Sequence, residues 1–375
     1  MADIQKALVV GGGIGGLTAA IALRGIGVDV DLVEKNPRWD VYGVGIIQPP
    51  NALRALDALG LAEACVAAGH PILGGRNHLA DGTVVANDDY PPVDPRFPPM
   101  NGLTRPALHE ILKSRLRDEG VAVRLGEVVS QLTQRTDGVT VAFSDGTTED
   151  YDLVIGADGL YSQTRTMLFG DELRPRYTGQ TAWRYNAPRI DGLDRIHIYI
   201  GGEGGTAGLV PLSDSLMYVL YITKWPQDRL KIPAEELPAL MRSRLEIFGG
   251  EIADVREQIT DPEGVVFRPV DNILVPRPWY RGRVLLIGDA AHGTSPHAGQ
   301  GAAQAVEDAL VLTQELEGGG GIDAVLERFM DRRFERCKAV VELSASIGAW
   351  EQNPDPSIDP NDIRHELIAL CAQPV

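Results

Sequence analysis

The chain has 375 residues, 44% of them hydrophobic, enough to bury a large core and to form two domains. A formal charge of −17 and a pI near 4.8 argue against nucleic acid and anionic membranes as partners. Cys65, Cys337 and Cys371 are odd in number and form no C-x-x-C pair. They point to a reducing, cytoplasmic setting without a structural disulfide or zinc site, and no metal is expected.

Lys6-Ala7-Leu8-Val9-Val10 reads as a buried parallel strand, Gly11-Gly12-Gly13-Ile14-Gly15-Gly16 as a tight turn, and the Ala/Leu-rich segment after it as a helix. Val30-Asp31-Leu32-Val33-Glu34 then forms a second strand that ends on an acid. In this G-x-G-x-x-G arrangement Gly11 permits the turn, Gly13 lets a pyrophosphate approach the backbone, and Gly16 lets helix and strand pack closely. The diphosphate belongs at the helix N-terminus, and Glu34 is spaced to accept hydrogen bonds from a ribose. NAD and FAD share that moiety, so the stretch alone does not separate them. The uncharged run over residues 7–23 resembles a signal peptide or membrane anchor, but five glycines in six positions make a poor apolar helix.

Residues 39–51, with Gly43-Val44-Gly45 and Pro49-Pro50, read as a loop, and residues 52–68 as a helix broken near Gly60. Asp81-Gly82 marks a hairpin within residues 76–85, and prolines make 91–99 irregular. Thr104 suits the N-cap of a helix whose apolar positions Ala107, Leu108, Ile111, Leu112 and Leu116 recur at helical spacing. Strands follow at 128–132, 139–143 and 152–156. Short β-type runs at 181–186, 196–200, 208–212 and 216–223 suggest an antiparallel sheet with a helix over 233–248 beside it. A buried strand returns at 283–287, a helix begins near Gly301, and a long helix covers 322–350. The tail carries four prolines and a short helix.

Three strand ends present a glycine with an acid: Gly16 with Glu34, Asp158-Gly159, and Gly288-Asp289. Such ends are where open α/β sheets bind ligands. The second extends to Asp158-Gly159-Leu160-Tyr161-Ser162-Gln163-Thr164-Arg165, and the third to Gly288-Asp289-Ala290-Ala291-His292 with Pro296-His297-Ala298-Gly299-Gln300-Gly301. Together with the glycine fingerprint, in this order and spacing, they resemble the FAD-dependent aromatic-ring hydroxylases. That group includes para-hydroxybenzoate, salicylate and 6-hydroxynicotinate hydroxylases.

The resemblance implies an α/β fold: a Rossmann-like FAD-binding domain over residues 1–75, 100–177 and 268–350, an inserted, mostly antiparallel substrate-binding sheet over 76–99 and 178–267, a long C-terminal helix, and a tail over 351–375. It implies FAD as cofactor. The cofactor-binding residues are then Gly11, Gly13, Ile14, Gly15, Gly16, Glu34, Lys35, Gly45, Ile47, Arg105, Val129, Asp158, Asp289, Pro296, Gly299, Gln300, Gly301 and Ala302. Asp289 resembles the carboxylate that bonds the ribityl chain, and Arg105 an arginine near the diphosphate. Asp158, Ser162 and Arg165 resemble a motif serving both FAD and the reducing nicotinamide, with a structural ion pair as the other reading. Ile47 stands where the 6-hydroxynicotinate enzymes carry histidine, which weakens that substrate assignment.

The implied activity is hydroxylation of a small phenolic or N-heteroaromatic compound by a single-component monooxygenase. NADH or NADPH reduces the flavin, and O2 adds at C4a to give a hydroperoxide. Hydroxylation, epoxidation and decarboxylative hydroxylation all remain open. A flavin oxidoreductase without oxygen transfer, or a flavoprotein that sequesters an aromatic ligand, would share these motifs. The expected partner is the small aromatic substrate, with the protein a monomer or homodimer. On the substrate side, alternation puts His197 and Tyr199 on one face of the sheet, Tyr218 opposite Met217 and Val219, and Arg184 opposite Trp183 and Tyr185. His197 and Tyr218 are the expected substrate-orienting or proton-handling groups, with Tyr199 and Arg184 behind them. His292 is expected to order its loop, and His297 to lie near the flavin.

Overall fold

The computed structural model describes residues 4–226, 231–355 and 357–375, and the segment ranges above that include 1–3, 227–230 or 356 lie there outside the described residues. At the centre stands a six-stranded sheet in the order Tyr280–Arg281, Val284–Leu286, Leu153–Gly156, Lys6–Val10, Asp29–Glu34, Ala122–Leu125. All neighbours are parallel except the short edge pair at Tyr280–Arg281. Its central strands are apolar runs because both faces are covered, one by helix Ile14–Gly25 and the other by a three-stranded sheet of Val129–Gln134, Val139–Phe143 and Thr148–Tyr151. In Lys6–Val10 only Lys6 is not fully buried. The chain leaves Lys6–Val10 toward one side and later returns to its other side at Leu153–Gly156. This reversal opens a crevice at the carboxyl ends of the two strands, where such sheets take ligands. Helix Ile14–Gly25 fills the turn between the first two strands, and a Cβ on Gly16 would stand 1.8 Å from the Gly11 carbonyl oxygen. Only glycine allows that approach.

A second sheet of seven strands runs Val266–Asn272, Arg176–Pro188, Leu216–Lys224, Thr206–Pro211, Ile196–Ile200, Gly74–Leu79, Val84–Asp89. It is antiparallel throughout except where Ile196–Ile200 pairs with Gly74–Leu79. The register decides what each face carries. Trp183, Tyr221 and Ala207 lie in one row and Tyr185, Val219, Leu209 and His197 in another, both packed against helices Leu237–Leu245 and Gly250–Arg256. Arg184 with Leu220, and Asn186 with Tyr218 and Val210, occupy the other face. That face looks toward the first sheet.

Residues 39–51 are not all loop. Gly45–Gln48 forms a strand against Met100–Thr104, and a helix starts at Pro50 with Pro49 as its N-cap. Proline at the first helical position loses an N–H that would be unpaired anyway, so Pro49-Pro50 opens the helix. The strand was hidden because its partner is some fifty residues away. One helix goes beyond the sequence reading, Gly250–Arg256 after the one near 233–248, and the tail's expected helix runs over Pro360–Ala372. The long helix covers Ile322–Gln352. Among the described residues no helix is long and apolar enough to cross a membrane.

Candidate active site

A cavity of about 1420 Å³ lies between the carboxyl ends of the first sheet and the free face of the second. Gly13, Ile14 and Gly15 line one end, where helix Ile14–Gly25 begins with no side-chain cap and no acid in its first turn. Its leading N–H groups are thus left for an anion. Gln300, Gly301 and Ala302 line another wall, at the start of helix Gly301–Glu317, which also has no side-chain cap and no early acid. Arg105 opens helix Arg105–Asp118 behind the Thr104 N-cap and lines the cavity with its buried Nε unpartnered.

Asp289 follows Val284–Leu286 and extends its carboxylate into the cavity. Burial pushes its carboxyl above the usual range, against the pull of His292 and Arg105. Among the described residues it accepts no hydrogen bond, and its side chain is open to the cavity, free to accept from donors on a ligand. Thr294 likewise lines the cavity with an unpartnered buried hydroxyl. Two uncapped helix ends, a cation and a donor-seeking carboxylate along one crevice fit a dinucleotide whose second half carries hydroxyls.

Of the expected cofactor residues, Gly45, Ile47, Pro296 and Gly299 also line the cavity, whereas Gly11, Gly16, Glu34, Lys35, Val129 and Asp158 do not. Each of the latter with a resolved role holds the frame. Glu34 accepts the Gly12 N–H at 2.7 Å and the Asn36 N–H at 2.7 Å. Asp158 accepts from Thr164 N at 2.9 Å and from the Ser162 hydroxyl, tying down the start of helix Gln163–Phe169. Arg165 is buried and donates to the carbonyls of Leu160, Leu173 and Ala290. No ion pair joins it to Asp158 among the described residues. Val129 packs in the main core.

On the far wall stand Arg184 and Tyr218. Burial, with Arg105 adding repulsion, pulls the Arg184 guanidinium down to about 10, so it stays cationic at neutral pH. Burial raises the Tyr218 phenol, against the two arginines. A Cβ on Gly45 would meet the Tyr218 ring at 2.2 Å, so this glycine lets strand Gly45–Gln48 press on the second sheet. His197 and Tyr199 depart from expectation. They lie on the opposite face, bonded to Glu251 of helix Gly250–Arg256, and do not reach the cavity. Alternation correctly paired them with each other; which face the helices cover was not readable.

His292 is buried with Nε2 2.6 Å from Asp308 Oδ2, and His297 turns to the long helix, 3.3 Å from Glu351. Arg268, stacked 4.4 Å from the Tyr42 ring, and His109 also line the cavity and were not foreseen. His109 stands four residues after Arg105, on the same helix face, a spacing that could have found it. Arg268 owes its place to a strand pairing with no local signature.

The family described as FAD binding domain matches residues 5–344. The chain belongs to the FAD-dependent aromatic-ring hydroxylases. It is 34% identical over 351 residues to the aurachin C monooxygenase/isomerase of Stigmatella aurantiaca, covering 92% of this chain and 90% of the relative. It is 32% identical to the 3-amino-4-hydroxybenzoate 2-monooxygenase PtnB3 of Streptomyces platensis, covering 92% and 88%. Klebsiella pneumoniae HpxO, solved as a complex with FAD and uric acid, superposes with a TM-score of 0.87 at 27% identity, over 98% of this chain and 96% of that one. This protein is accordingly a single-component FAD-dependent monooxygenase, with O2 and a reduced nicotinamide as the family's co-substrates. The oxidoreductase without oxygen transfer and the ligand-sequestering flavoprotein lose their footing.

Proposed function

We propose that this flavoprotein hydroxylates a small aromatic or N-heteroaromatic compound bearing an anionic group. The observation that carries this is the cationic Arg184 on the cavity wall beside Tyr218, with no carboxylate paired to it among the described residues. A half-buried guanidinium without a counter-ion on a cavity wall is unfavourable, and an anionic ring substrate offsets that cost. Relatives support the reading: one is named for an aminohydroxybenzoate, and HpxO was crystallised with uric acid.

FAD held in this cavity would supply the hydride acceptor for NADH or NADPH and the chemistry of O2 activation. Arg184 orients the substrate anion. Tyr218, whose proton is held by burial, acts at neutral pH as a hydrogen-bond donor to the ring substituent and not as a base. Leu220 and Ala182 on the same wall, with Ile47 opposite, keep water from the reacting end. Asp289, Arg105 and the two helix ends hold the cofactor. The three cysteines are free and buried, in keeping with a cytoplasmic site of action.

The test is a panel of benzoates, phenols and N-heteroaromatics, scored for stimulated NAD(P)H oxidation, product mass and peroxide. Arg184→Gln should raise KM for anionic substrates about tenfold to a hundredfold, the value of a lost charged hydrogen bond, while flavin content stays the same. Equal KM in parent and variant, or turnover of neutral rings alone, would overturn the anionic assignment.

A further inference from the structure

We propose that His78, His197 and Glu251 bind one divalent transition-metal ion of the zinc class, on the face of the seven-stranded sheet turned away from the flavin cavity. His78 lies on Gly74–Leu79, His197 on the adjacent Ile196–Ile200, and Glu251 in the first turn of Gly250–Arg256. One donor atom from each lies within 4.8 Å of the other two. His78 and His197 are 4% and 1% exposed, and Nε2 of each has no hydrogen-bond partner.

The other ring nitrogens are engaged. Nδ1 of His78 sits 3.1 Å from the Gly82 carbonyl oxygen, which only accepts, so the proton belongs on Nδ1 and Nε2 carries a bare lone pair. Nδ1 of His197 lies 2.6 Å from Glu251 Oε2, and an ion held by both groups would take the place of the proton they share. A buried lone pair without a donor is unfavourable. His78, which donates Nδ1–H to a carbonyl and offers Nε2, has the usual form of a metal-binding histidine.

The surroundings hold these groups in place. The Tyr199 ring stacks on His78 at 4.2 Å and 8°, and its hydroxyl donates to Glu251 Oε2 at 2.8 Å. The Gly249 N–H donates to the Ala80 carbonyl at 2.7 Å, fastening the helix start to the hairpin that carries His78. Two neutral imidazoles and a carboxylate suit zinc-class ions, while calcium and magnesium need more oxygen ligands. Bonds of about 2.0–2.1 Å put tetrahedral ligands roughly 3.4 Å apart, so closure asks for about 1 Å of side-chain movement. Glu251, 34% exposed, supplies that freedom and an entry path, and water completes the shell. The other compact cluster, His292 with Asp308 and Cys337, is already closed by the Arg333 guanidinium. Cysteine spacing spoke only to thiolate zinc sites, so this one had no signature in the sequence.

The experiment is equilibrium dialysis of untagged, chelator-treated, FAD-loaded protein against Zn2+, with unfolding temperature measured in parallel. One equivalent should bind and raise the unfolding temperature. His78→Gln, His197→Gln and Glu251→Gln should each weaken binding about tenfold or more, and His70→Gln should leave it unchanged. Absence of a saturable equivalent in the parent protein, or undiminished binding in the His78→Gln/His197→Gln pair, overturns the proposal. If a histidine variant fails to fold, the parent protein decides alone: one stabilising equivalent supports the site and none refutes it.

Discussion

Asp289 carries most of what single residues say about the cofactor. Its carboxylate reaches the cavity without a partner, in surroundings that raise its proton affinity, so it is tuned to accept hydrogen bonds from hydroxyls. Asp289→Ala should retain the fold and weaken FAD binding about tenfold to a hundredfold, read as flavin content and FAD dissociation constant. Normal flavin retention would remove it from the site. Asp289 was legible because it ends a strand whose apolar run and glycine are contiguous in the chain. Arg184 and Tyr218 were legible only as candidates, because alternation gives two faces and does not say which one meets the flavin. His197 shows the consequence: the same parity rule that grouped it with Tyr199 left its direction open. The helix carrying Glu251 turned it away from the cavity.

At the scale of elements, helices Gly301–Glu317 and Ile322–Gln352 are joined by a buried charge network that braces the flavin-side loop. Arg333 donates to Asp308 at 2.7 Å and to Glu307 at 2.8 Å, and Arg336 donates to Glu307 at 2.9 Å. Asn51 links Glu307 to Gln300, which lines the cavity. Arg333→Met leaves two buried carboxylates short of a partner and should cost about 3–5 kcal/mol in urea unfolding. A loss under about 1 kcal/mol would mean the network contributes little. His292 adds a pH dependence. Burial opposes its charge, but Cys337 and Asp308 prevail and hold the imidazolium well above 6.5. A raised folded pKa gives stability that is full below about pH 6.5 and fades as pH rises through the folded value. Unfolding free energy should therefore fall on the alkaline side, by up to about 1.4 kcal/mol per pH unit, and His292→Asn should flatten that limb. An identical slope in the variant would assign the dependence elsewhere. None of these partners is close in sequence, which is why the helices were readable and their coupling was not.

Across the whole molecule, a chain of net charge −17 gathers Arg105, Arg184 and Arg268 around a single cavity. Asp40, Glu263, Asp271 and Asp289 line it too, so the positive charge acts locally, at the arginines that face a diphosphate or an anionic ring. The nucleotide-binding half was legible because its strands, glycines and acids are local and ordered along the chain. For the second sheet the resemblance joined 76–99 with 178–267, but the register that decides which face meets the cavity pairs strands far apart in the chain and was not legible. Oxygen transfer at that wall is the central claim, and 18O2 tests it most directly. With a substrate found by the panel, the product should carry one 18O atom per NAD(P)H oxidised in coupled turnover. An unlabelled product, with all the isotope recovered as peroxide or water, would contradict it.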